Sequence, residues 1–148
     1  MSDLYVKVGD RVTFAKTVGE SDVYGFAGIT GDFAPNHVNE HYMAQSSFGR
    51  RIAHGALLVG FMSTCSTLMV ERSGGWNGDE TAVSLGYDRI RFLKPVFLGD
   101  TVTLTYTIVE TDPIKRQAVA EIEVTNQNDE RVAVARHLIR WVKDARRT

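Results

Sequence analysis

Ile52-Ala53-His54-Gly55-Ala56-Leu57-Leu58-Val59-Gly60-Phe61-Met62-Ser63-Thr64-Cys65-Ser66-Thr67-Leu68-Met69-Val70 is nineteen residues long, and its only side chain that titrates near neutral pH is His54. The apolar residues occupy nearly the whole helical circumference rather than one stripe, and such a helix is surrounded either by its own protein or by lipid. Gly60, Ser63, Thr64, Ser66 and Thr67 dilute the run, and no second span follows it, which argues against lipid. The remaining reading is a helix of about five turns with protein on most sides. Something else in the chain must wrap it.

The second half supplies the wrapper. Val102, Leu104, Tyr106 and Ile108 alternate with Thr101, Thr103, Thr105 and Thr107, a strict period of two with one core face and one wetter face. Ala120, Ile122 and Val124 alternate with Glu121 and Glu123, and turn residues at Asp112-Pro113 and Asn126 to Asp129 separate successive strands. Ahead of these, Val83, Leu85 and Tyr87 shift phase to Ile90 and Phe92, which predicts a bulge near Asp88-Arg89. The last strand, Val132 to Val142, is apolar on both faces for much of its length. An antiparallel sheet curled round one buried helix is an α+β architecture, the hotdog fold. A sheet with so much apolar edge and face pairs with a second copy, so a homodimer or higher homo-oligomer is expected.

Before the long helix, a short strand is expected around Val12 to Thr17. Gly19-Glu20-Ser21-Asp22 then reads as a helix start with acids at the positive end of the dipole. Val23, Phe26, Ala27 and Thr30 recur at helical spacing, and the helix should end at Gly31, because Asp32 to Asn36 is loop chemistry and Pro35 pushes its predecessor out of the helical region. The 148 residues, 43% hydrophobic and 24% charged, suit one domain over 1–148 with a real core. A net charge of -1 gives no basic field for nucleic acid or a membrane surface, so a small-molecule partner is expected. Charges at Asp3, Lys7, Asp10 and Arg11 break any secretory apolar stretch, and the single Cys65 cannot form an internal disulfide. Both point to the cytoplasm.

Three polar residues stand where chemistry could be done: Asp32 and His37 in the loop, and His54 at the start of the long helix. An aspartate after a glycine also simply closes turns, and a loop histidine is often only satisfied by its neighbours. What favours chemistry is placement, since a loop fixed by Pro35 leads towards a buried helix N-terminus whose free N–H groups suit a developing oxyanion. His37 and His41 lie four apart, but His37-Val38-Asn39-Glu40-His41 is not H-E-x-x-H and no third ligand is near, so no metal is expected. No other cofactor is expected either. Cys65, amid apolar neighbours, should be inert. Arg50, Arg51, Arg91 and Lys94 are candidates to hold phosphates, although surface basic residues are more often merely solvated.

Thr30-Gly31-Asp32-Phe33-Ala34-Pro35-Asn36-His37 resembles the S-G-D-x-N-P-x-H loop of the MaoC-like, (R)-specific enoyl-CoA hydratase family. Phe48 to Gly55 resembles that family's F-x-x-x-I-A-H-G element, and Phe92 to Val102 resembles its F-x-x-P-V-x-x-G-D-T-V signature. Three such motifs in the right order make chance similarity improbable. The resemblance implies hydration of a trans-2-enoyl-CoA thioester to the (R)-3-hydroxyacyl thioester, or the reverse, with Asp32 and His37 sharing one water. It also implies Gly55 N–H as donor to the thioester oxygen, Ser63 as a hydrogen-bond partner of Asp32, and a supporting role for His54. The chain departs from the family at Ala34, where an asparagine is usual, and Asn36 is expected to supply the missing amide. Two other readings stay open: a hotdog thioesterase, whose chemistry wants a carboxylate that Ile52 to Val70 lacks, and a non-catalytic acyl-CoA binding module.

Overall fold

The threonine alternation forms a strand whose inward residues Val102, Leu104, Tyr106 and Ile108 are all fully buried. In the computed structural model, which describes residues 3–145, the strands are β1 (Arg11–Thr17), β2 (Glu80–Phe92), β3 (Thr101–Asp112), β4 (Gln117–Thr125) and β5 (Arg131–Lys143). The helices are α1 (Glu20–Thr30), α2 (Pro35–Val38), α3 (Glu40–Ala44) and α4 (Gly55–Arg72). All strand pairs are antiparallel and the order is β1-β3-β4-β5-β2, so the meander β3-β4-β5 sits centrally and β2 closes one edge. Leu57, Leu58, Met62, Cys65, Met69 and Val70 of α4 are buried and share one core with the sheet's inner face. This is the hotdog arrangement, α+β in class.

The helix begins three residues later than the apolar run. Ile52 makes an isolated antiparallel bridge to Phe97, and Ala53 N–H donates to Val96 O at 2.7 Å, so these residues are drawn out into extended backbone. Nor is α4 covered all round: Ala56, Gly60, Ser63 and Thr67 are exposed along one face. Among the described residues no helix is long and apolar enough to cross a membrane.

The phase shift in β2 is a real irregularity. Its register with β5 slips between Asp88 and Arg91, where Arg89 takes φ 53°, and a second slip between Ser84 and Gly86 was not anticipated. The loop expected over Asp32 to Asn36 is shorter than the sequence suggests. Pro35, whose missing N–H costs nothing at a first helical position, starts α2, and Asn39 caps α3 by accepting from Tyr42 N–H at 2.9 Å.

Candidate active site

α1 ends where expected, on Gly31 in the left-handed conformation at φ 82°, which an L side chain adopts only at a cost. Asp32 follows in the open, its Oδ1 accepting from Ala34 N–H at 3.3 Å in a local turn. Ala34 is extended at ψ 141°, as the residue before a proline must be, and the chain then turns into α2. That turn buries His37, which is 8% exposed. Its Nδ1 lies 2.7 Å from the carbonyl oxygen of Ile52. A carbonyl only accepts, so Nδ1 carries the hydrogen, and in the neutral ring Nε2 is left with a free lone pair.

The segment before α4 meets this loop. Ile52 N–H donates to Asn36 O at 3.0 Å while Ile52 O receives His37, so one residue grips the loop twice. His54, the N-cap residue of α4, is 2% exposed and stacks on His37 with ring centres 3.7 Å apart and planes at 26°. Its Nε2–H donates to the Asp32 carbonyl oxygen at 3.0 Å. The helix has no side-chain cap, and the N–H groups of Gly55 and Ala56 meet no acceptor among the described residues. They form a positive helix end of the kind that binds oxyanions. Gly55 is tightly placed: a Cβ there would lie 2.6 Å from the ring of Phe92. Beside it opens a cleft of about 370 Å³ lined by His37, Asn36, Phe48, Ile52, Leu58, Phe92 and Val96. A larger cleft, about 660 Å³, lies on the sheet's outer face among Arg11, Thr105, Thr107, Arg131 and Arg136. It contains neither member of the Asp32 and His37 pair, and Arg131 and Arg136 are already paired with Glu123 and Glu110.

Asp32, His37 and His54 each offer a ligand-type atom within 4.8 Å of the others. The stacking works against coordination, however, because a metal must lie along each imidazole's in-plane lone pair, and two rings face to face direct those lone pairs past one another. His41 stands apart, exposed and 3.3 Å from Gln45 Nε2.

Two expected supports are not made. No hydrogen bond joins Ser63 to Asp32 among the described residues: Ser63 is exposed, lies beside Tyr87, and its backbone oxygen accepts from Ser66. Asn36 grips the loop through its backbone carbonyl, and among the described residues no hydrogen bond of its amide braces the loop in place of the asparagine absent at Ala34. The brace is provided instead by the Asp32 turn, by Pro35 and by His54. Of the proposed phosphate-binding cations, Arg51 is committed to Glu20 and Glu40, Lys94 to Glu130, and Arg50 lies 4.0 Å over the Phe97 ring. Cys65 is fully buried, and burial pushes its thiol pKa up to about 11.

Sequence reasoning missed a second polar cluster. His137, fully buried, has Nδ1 2.8 Å from the Tyr106 hydroxyl and Nε2 2.8 Å from Ser84 Oγ, with its ring stacked on Tyr87. The signal was available, since His137 is in phase with Ala133, Ala135, Ile139 and Trp141, the inward face of β5.

A sheet wrapped on one helix, with an acid and a histidine brought together at that helix's N-terminus, defines a hotdog protein. The model of the MaoC like domain matches residues 6–132, and the chain belongs to that family. It is 38% identical over 111 residues to an (R)-specific enoyl-CoA hydratase of Rhodospirillum rubrum, covering 75% of this chain and 72% of the relative. It is 34% identical over 113 residues to a 3-hydroxybutyryl-CoA dehydratase of Methylorubrum extorquens, covering 76% and 67%. Among solved structures it resembles the (R)-hydratase from A. caviae involved in PHA biosynthesis, with a TM-score of 0.78 at 26% identity over 91% of this chain and 96% of that one.

Proposed function

We propose that this chain is a lyase that adds water to a trans-2-enoyl-CoA to give the (R)-3-hydroxyacyl-CoA, or runs the reverse dehydration. The observation that carries the reading is the approach of the Asp32 carboxylate and the His37 ring, with His54 within 4.8 Å, beside an uncapped helix N-terminus and an apolar cleft. The relatives named as hydratases and dehydratases support the same reaction.

As a carboxylate, Asp32 only accepts hydrogen bonds, and neutral His37 offers Nε2 because its Nδ1–H is engaged by Ile52. Two acceptors hold one water by its two hydrogens and turn its oxygen towards C3 of the alkene. As the C3–O bond forms, one acceptor takes a proton and the alkene electrons move through C2 to the thioester oxygen. Return of a proton to C2 completes the addition. Fixing the water makes its attack effectively intramolecular. Gly55 N–H, aided by the α4 dipole, meets the charge on the thioester oxygen. The free edge of β2 supports a working unit of at least two copies.

The test is purified protein with crotonyl-CoA, followed by loss of enoyl absorbance, release of free thiol and the hand of the product. The reading expects (R)-3-hydroxybutyryl-CoA without thiol release. Thiol release without hydration would make the chain a thioesterase, and binding without either would make it a binding module.

A further inference from the structure

The run Ile52-Ala53-His54-Gly55 touches every group the proposed reaction uses. Ile52 O fixes the tautomer of His37, Gly55 presents its N–H, and between them the side chain of His54 reaches back twenty-two residues to the Asp32 carbonyl at 3.0 Å. His54 occupies an N-cap position but does not cap its own helix. Its ring lies between His37, 3.7 Å away, and Phe26, 4.7 Å away. Its Nδ1 is buried without a partner among the described residues. A buried, unpaired acceptor is a standing cost to the fold, and such costs concentrate where geometry serves function.

We propose that His54 is a positioning residue for the catalytic pair: its Nε2–H anchors the Asp32 backbone, so that the carboxylate faces the same water as the His37 imidazole. This rests on the function proposed above. His54 itself exchanges no proton with substrate. Its bond to the Asp32 main chain sets where the carboxylate begins, and a displacement of an ångström at a reacting group costs on the order of a hundred-fold in rate.

Two amide variants separate this from a packing role. His54→Gln extends an N–H donor to the place of Nε2, whereas the shorter amide of His54→Asn reaches only the place of Nδ1; both lose the ring. With crotonyl-CoA, His54→Asn should lower kcat about ten- to a hundred-fold with little change in KM, while His54→Gln keeps most of the wild-type kcat. Both should retain the wild-type pH profile, because Asp32 and His37 are unchanged in each. If His54→Asn does not fold, His54→Phe, which keeps a ring but has no donor, takes its place with the same expected loss. Equal kcat in the donor and donor-free variants would overturn the proposal. Asp32→Asn, measured alongside, keeps the two claims apart: wild-type turnover in that variant removes the proposed function itself.

Discussion

His37 and His137 show how a fold decides what an imidazole does. His37 is buried with one nitrogen pinned and the other free towards a cleft, whereas His137 has both nitrogens occupied by hydroxyls. Burial pushes the pKa of His137 down to about 4, from an ordinary 6.5. The folded protein therefore holds His137 neutral while the unfolded chain binds a proton below about pH 6.5. This contribution to stability is complete above that pH and is lost as pH falls towards 4, with an upper size on the order of 3 kcal/mol. Urea unfolding between pH 7.5 and 4.5 should show that loss in the wild type and a shallower one in His137→Gln. Parallel curves would mean that the imidazole does not titrate as burial requires. At this scale the sequence was only partly legible. Asp32 and His37 were visible through their motif, but the partner that fixes each was not, because Ile52 O and the Asp32 carbonyl are backbone groups that no residue type announces. The same reason explains why the amide of Asn36 and the hydroxyl of Ser63 were overvalued.

The elements were more legible, because periodicity is itself an element-scale property. The threonine alternation of β3, the stop of α1 at Gly31 and the β2 bulge were all readable, since each depends on local sterics. The first turn of the apolar run was not, because the pairing of Ile52 and Ala53 with Val96 and Phe97 is long-range. That pairing sets where α4 begins and leaves Gly55 as its first residue under Phe92. Phe92 is half exposed, so its ring can swing from a Cβ placed at residue 55. Gly55→Ala should therefore cost little stability yet lower turnover by about ten- to a hundred-fold, by shifting the ring and the donor beside it. Phe92→Leu in the same chain should recover part of the loss. Thermal unfolding and kcat on the two variants check this, and a fully active Gly55→Ala would show that the close contact is incidental.

For the whole molecule, the open question is what meets β2. Among the described residues this thirteen-residue edge strand has one neighbour, β5, and it exposes Val83, Leu85 and Phe92, features that solution proteins ordinarily cover or charge. Light scattering should give at least twice the 16.5 kDa chain mass, and Leu85→Lys should shift the population towards monomer. An active wild-type monomer at assay concentration would remove this expectation. The central claim remains that Asp32 and His37 act together on one water. Its most direct test is hydration of crotonyl-CoA by Asp32→Asn, His37→Gln and the double variant, each shown to be folded. Each single change should lower kcat by about a hundred-fold or more, and the double variant should lose much less than the product of the two, since both groups serve one water. Turnover near wild type in either folded single variant would contradict the account.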